Sequence, residues 1–279
     1  MTRWRRTPRW LADRSVNDDE RGAAETDPLV RALRLGGSVF AEEEATLLRA
    51  GADDPEQLAA WCARRVAGEP LEHILGWVGF AGLRLAVGPG VFVPRQRSVL
   101  VADAAVAHIL ASGANPTLLE AFCGVAPIAT VVHHRVPGAS IHLTDADPVA
   151  LRYARRNVGD DAGVYVGPGF SGVPAHLRGC IDVVAAVPPY VPERDFEQLP
   201  HEAREYEPRA ALIAGPDGLD HVRELIDDAA EWLSPHGVLV VEMNHAQFDA
   251  TAEHARARGL RAEVIVGDDG QTVVARLRR

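Results

Sequence analysis

Three stretches of the chain carry residue types that do chemistry when a fold brings them to one edge. The first is Val187-Pro188-Pro189-Tyr190, directly after the apolar, β-branched run Ile181–Ala186. Neither proline can donate to a strand ladder, so a buried strand ending here has to stop. Each proline also holds the residue before it extended. A stiff loop tipped by an aromatic ring with a polar end then stands at the carboxyl edge of a sheet, where open α/β sheets bind ligands. The plainer alternative is an ordinary strand-ending turn. The second stretch is Glu120-Ala121-Phe122-Cys123-Gly124-Val125-Ala126. A nucleotide-type loop wants glycine at positions 122, 124 and 126 so that its backbone can approach a ligand. Only Gly124 is present, Ala126 is a small substitute and Phe122 is bulky. The third is Asp145-Ala146-Asp147. An acid closing the second strand can accept hydrogen bonds from both ribose hydroxyls. Asp147 precedes Pro148 and fits a helix cap, which leaves Asp145 for a ligand.

The elements that must position these stretches alternate. Strands are expected near Leu118–Glu120, Ile141–Thr144, Val164–Val166, Ile181–Ala186, Val238–Met243, Leu260–Val266 and Thr272–Leu277. Helices are expected over Pro127–Arg135, Pro148–Asn157, Asp220–Leu233 and Gln247–Arg258. Alternating β and α elements imply a doubly wound α/β sheet, here of seven strands. The last two strands have no helix between them, which implies an antiparallel edge. Before this domain, Asp27-Pro28 and Asp54-Pro55 are helix starts, so residues 27–75 read as a small helical domain. Residues 76–98 alternate and are rich in glycine. They read as a β-hairpin linker with its turn at Gly88-Pro89-Gly90, and Ser98 reads as the cap of the following helix. Residues 99–279 form the α/β domain. Residues 1–26 switch from basic to acidic and read as a flexible tail, or alternatively as a short helix for an acidic partner.

Bulk properties exclude several classes. The net charge of −10 argues against a general nucleic-acid binder. No apolar run approaches the length that crosses a bilayer. Cys62, Cys123 and Cys180 are scattered and odd in number, which points to a reducing, cytoplasmic setting. The histidines show no metal spacing, so no metal is expected.

Longer ordered segments carry a resemblance. They are Gly68-Glu69-Pro70-Leu71 with Ile74-Leu75-Gly76, then Pro89-Gly90-Val91-Phe92-Val93-Pro94-Arg95, then Asp182-Val183-Val184 before Pro188-Pro189-Tyr190. Glu207-Pro208-Arg209-Ala210-Ala211-Leu212 and Gly215-Pro216-Asp217-Gly218-Leu219-Asp220 follow. Together they resemble the HemK/PrmC family of protein glutamine-N5 methyltransferases, especially its divergent actinobacterial-type members, over about residues 27–279. The resemblance implies a class I S-adenosylmethionine (SAM) methyltransferase fold, Rossmann-like, with SAM as cofactor and a peptide release factor's glutamine loop as partner. It places acceptor binding and catalysis at Val187, Pro188, Pro189 and Tyr190. It places the cofactor at Glu120, Phe122, Cys123, Gly124, Val125, Ala126, Asp145, Ala146 and Gly169.

Departures from the family pattern fall at these positions. The family has Asn where Val187 stands, and that Asn helps hold the amide nitrogen of the glutamine. The acid that would meet the adenine amine falls at Pro168. The family's Pro-Glu-Thr becomes Gln96-Arg97-Ser98. Three functions therefore stay open: methylation of a protein glutamine, methylation of a small-molecule guanidine or amine, and a non-catalytic binding module that keeps the fold.

Overall fold

The structure is a computed structural model and describes residues 27–113 and 115–279. The expectations for residues 1–26 lie outside the described residues. The chain divides into two units, one ending at Gly76 and one running Trp77–Arg279.

The first unit is helical for the reasons its sequence supplies. Asp27 and Asp54 accept hydrogen bonds from the first-turn backbone of α1 (Pro28–Leu35) and α3 (Pro55–Val66), and each is followed by proline. Between them lies α2 (Ala41–Gly51), and α4 (Leu71–Leu75) ends on Gly76 in the left-handed conformation. The core of this unit is Val30, Leu33, Ala41, Ala45, Leu48 and Ile74.

The second unit opens with the hairpin β1 (Trp77–Phe80) and β2 (Leu83–Ala86). Three readings are corrected here. The turn is the two-residue Ala81-Gly82, both at positive φ, as a twisted two-residue hairpin requires; Gly88-Pro89-Gly90 lies beyond the second strand. The hairpin is also no linker. Val78, Phe80, Leu85 and Val87 are buried in the same core as Leu118, Leu143 and Val183, so the unit begins at Trp77. Ser98 is not a side-chain cap either. A 3-10 turn over Gln96–Ser98 runs straight into α5 (Val99–Ala111), and the Ser98 hydroxyl caps nothing.

The sheet comprises β3 (Thr117–Ala121), β4 (Ser140–Asp145), β5 (Gly163–Val166), β6 (Ile181–Ala186), β7 (Leu233–Asn244), β8 (Arg261–Val266) and β9 (Thr272–Arg278). The order is β5-β4-β3-β6-β7-β9-β8. The first five are parallel, and β9 is antiparallel to both its neighbours. The intervening helices are α6 (Pro127–Arg135), α7 (Pro148–Val158), the short α8 (His201–Tyr206), α9 (Asp220–Trp232) and α10 (Phe248–Ala257). The residues Val183 to Ala186 are fully buried because both faces of the sheet are covered: Val183 and Ala185 belong to one core, Val184 and Ala186 to the other. From β3 the chain winds outward to β4 and β5, then returns to place β6 on the other side of β3. The switch point is therefore the gap between β3 and β6, and a ligand crevice is expected outside their carboxyl ends.

Candidate functional site

Both chemistry-bearing loops leave the sheet at that switch point. Ala121 pairs with Ala186 across β3 and β6, so Phe122 and Val187 are the first residues beyond the pairing on adjacent strands. Two of the departures from the family pattern, Phe122 and Val187, thus begin neighbouring loops. Their side chains go to different cores: Phe122 packs beside Leu119 and Ala121, Val187 beside Val183 and Ala185.

The β3–α6 loop keeps a ligand-cradling backbone without the glycines. Phe122, Gly124 and Ala126 all lie in the left-handed region, at φ 53°, 54° and 60°. Nothing lies within 4 Å of where a Cβ on Gly124 would stand, so this part of the loop faces open space. Cys123, Val125 and Ala126 are buried in the core and offer a ligand backbone only. Burial pushes the Cys123 thiol well above its usual range, so it is no nucleophile. The Phe122 ring stands 5.0 Å from that of His221, at the start of α9.

Glu120 decides what kind of cofactor fits. Its side chain turns under the loop and accepts the backbone N–H groups of Ile128 (3.2 Å) and Ala129 (2.6 Å). The positive end of α6 is thereby closed by the chain's own carboxyl. A dinucleotide pyrophosphate normally takes those donors, so a phosphate-free nucleoside cofactor such as SAM is what fits. Burial raises the Glu120 carboxyl to about 8, against the pull of the two N–H groups and with a further push from Asp145.

Asp145 ends β4 half-buried, above the same loop. One oxygen accepts Gly124 N–H at 2.7 Å and the other accepts Asp147 N–H at 2.8 Å. Asp147, not Asp145, caps α7 through Val149 N–H. Each Asp145 oxygen keeps a lone pair for a ribose hydroxyl. Burial raises this carboxyl, and its backbone donors oppose the shift. Ala146 offers no polar side chain. Gly169 follows β5, and its carbonyl accepts the Thr144 hydroxyl at 2.6 Å. Proline at 168 offers no side-chain acceptor for an adenine amine.

The acceptor-side residues meet in a cavity of about 330 Å³, lined by Phe92, Arg95, Arg97, Val187 to Val191, Glu202 and Leu212 among others. Its lining does not include the cofactor-side residues. Pro188-Pro189-Tyr190 is held from behind. The Gln247 amide donates to the carbonyls of Tyr190 and Asp217, each at 2.9 Å. Gly218, at φ 78°, lies so close that a Cβ there would overlap the Tyr190 carbonyl oxygen. Arg95 makes two 2.7 Å contacts to the buried carboxylate of Glu207, which also accepts Val93 N–H. The Tyr190 hydroxyl donates to Glu242 (3.0 Å) and accepts from Arg97 (2.9 Å). Burial and the Glu242 carboxylate hold it protonated far above its usual range.

Sequence reasoning did not single out Glu242, Gln247 or Gly218 as site residues. Glu242 left one signal, as a lone acid closing the apolar run Val238–Val241, because unpaired acids are rare in such places. Among the described residues no cluster of three His, Cys, Asp or Glu side chains could hold a metal, and no helix is long and apolar enough to cross a membrane.

No family model matches the chain. A release factor glutamine methyltransferase of Streptomyces coelicolor is 38% identical over 182 residues, which is 64% of each chain. This chain thus spans just under two thirds of that relative. One from Gloeobacter violaceus is 34% identical over 249 residues, covering 85% of this chain and 82% of that one. Among solved structures, the hMettl16 catalytic domain, in complex with the MAT2A 3'UTR hairpin 6, superposes with a TM-score of 0.54 at 13% identity, over 78% of this chain and 81% of that one. That likeness concerns the fold alone. A doubly wound sheet with an inserted antiparallel strand, two neighbouring loops leaving its switch point and a relative matched over most of both chains lead to one conclusion: the chain belongs to the release factor glutamine methyltransferase family and has the class I fold of SAM-dependent methyltransferases.

Proposed function

We propose that this protein transfers a methyl group from SAM to the side-chain amide nitrogen of a glutamine in a peptide release factor. The observation that carries the reading is the Pro188-Pro189-Tyr190 loop, which leaves the switch point next to the Glu120–Ala126 loop and walls the 330 Å³ cavity. When bound, SAM supplies a sulfonium methyl group open to attack by a nitrogen lone pair. Gly124 and its neighbours offer backbone to the amino-acid end, and Asp145 offers carboxylate oxygens to the ribose. Pro188 and Pro189 present carbonyl oxygens on a stiff segment that can accept an acceptor's N–H. Tyr190 contributes a ring wall and takes no proton, because its hydroxyl is already committed on both sides. An amide nitrogen is a weak nucleophile, so orientation supplies most of the catalysis.

Val187 favours a second reading. Its side chain accepts no hydrogen bond, which suits a less polar nitrogen acceptor such as a small guanidine or amine. Calorimetric titration of SAM, followed by methyl transfer to a release factor with labelled SAM, tests the proposal. SAM is expected to bind, and Asp145→Ala to weaken it by about 1.5–3 kcal/mol, the range for a hydrogen bond to a charged group. Methyl transfer to a small amine but not to the release factor selects the second reading. Absence of SAM binding at millimolar ligand rejects both in favour of a non-catalytic module.

A further inference from the structure

The wall of the acceptor cavity is set by a carboxylate that stands outside it. Glu242 follows Val241, which pairs with Ala186, so Glu242 lies level with Val187 on the neighbouring strand. Its side chain is 1% exposed. Oε1 accepts the Tyr190 hydroxyl at 3.0 Å and lies 3.4 Å from Arg97 Nε. Oε2 is buried and has no hydrogen-bond partner among the described residues. Arg97 in turn donates from Nη2 to the Tyr190 hydroxyl at 2.9 Å. The three side chains come from three separate segments: the turn before α5, the loop after β6 and the end of β7. No local structure orients them toward one another.

A buried carboxylate with one idle oxygen is an expensive way to fill a core position, because desolvation of the charge opposes it. An apolar side chain of similar size would pack there at lower cost. What the carboxylate adds is direction. It takes the single proton of Tyr190, while Arg97 takes a lone pair from the other side, and together they fix the phenol tip. Tyr190 and Arg97 both line the cavity. With valine at 187, the side chain that reads an amide in the family is gone, so the shape of this wall carries more of the selection.

We propose that Glu242 is a positioning residue for the methyl acceptor, acting through Tyr190 and Arg97 to hold the wall against which the accepting nitrogen is aligned. The proposal rests on the acceptor role given above to this cavity. It separates Glu242 from the cofactor side of the switch point, where Glu120 and Asp145 act.

The test uses the full chain with Glu242→Leu, Glu242→Gln and Arg97→Gln. SAM affinity is read by calorimetry, and kcat and KM for a release factor by labelled methyl transfer. The phenol carbon resonances of the 4 tyrosines, with Tyr190 assigned through Tyr190→Phe, report the wall directly. Glu242→Leu is expected to raise the acceptor KM about tenfold or more, as loss of a hydrogen bond to a charged group does. SAM affinity should stay within about twofold, since no cofactor-side contact changes, and the Tyr190 resonance should shift. Glu242→Gln still offers an oxygen to the hydroxyl and should recover most of the loss. An internal pair that merely stabilises would lower the melting point without moving the acceptor KM, and that result overturns the proposal, as does an unmoved Tyr190 resonance in Glu242→Leu. If the wild-type chain does not methylate the release factor, the acceptor assignment fails by itself, and the resonance still decides whether Glu242 holds Tyr190. If Glu242→Leu does not fold, Arg97→Gln, at a half-exposed side chain, must shift the resonance or the proposal falls.

Discussion

On the proposed function, Val187 bears directly on substrate choice. A site that hydrogen-bonds an amide discriminates by that bond, and losing it leaves a buried polar group short of a partner at about 1–3 kcal/mol. Wild-type activity on a Gly-Gly-Gln loop should therefore be poor. Val187→Asn should raise methyl incorporation about tenfold, the equivalent of one restored hydrogen bond. Robust wild-type methylation of that glutamine, or no gain in the variant, would show that the backbone alone reads the amide. Glu120 makes a second prediction at this scale. Its folded carboxyl is raised to about 8 by burial, above the ordinary value near 4.3 of an unfolded chain. Between these values the folded state holds a proton that the unfolded state has released, so stability falls as pH rises through this window and levels off above it. Melting points of wild type and Glu120→Gln, followed from pH 5 to 8, should show the wild type losing ground relative to the variant. Parallel pH profiles would mean that Glu120 is ionised in the fold.

At the scale of elements, the acceptor loop depends on a brace that is distant in sequence. Gln247 ties the Tyr190 carbonyl to that of Asp217, and Gly218 allows the two segments to touch. Gly218→Ala places a Cβ on a backbone oxygen that cannot swing away, at a φ that disfavours side chains. It should raise the acceptor KM and lower the melting point by several degrees, corresponding to about 1–3 kcal/mol, with SAM affinity nearly unchanged. An acceptor KM equal to wild type would show that the loop does not need the brace. The hairpin corrects a compositional reading at the same scale. Its glycines and exposed turn look like a connector, yet Phe80 and Leu85 are fully buried among residues of the sheet core.

At the scale of the molecule, the second unit contains the hairpin, the sheet, both cores and every candidate site residue. A chain beginning at Trp77 should therefore fold cooperatively and bind SAM with the affinity of the full chain. Calorimetry on that fragment checks it, and loss of SAM binding would give the helical unit a part in the cofactor site.

The alternation of elements was legible in the chain alone, because burial on two faces imposes apolar runs and Asp-Pro pairs mark helix starts. So were the family and the two loops at the switch point, since those loops are contiguous segments between strong local signals. It took the folded chain to show that the glycine-poor loop still takes three left-handed residues, that Glu120 closes the helix end, and that Glu242, Arg97 and Tyr190 meet. The meeting of Glu242, Arg97 and Tyr190 joins segments far apart in the chain, whose contact is fixed by strand order and register, whereas Glu120 reaches donors on the helix that directly follows its own strand. Residue type and spacing carry no record of that.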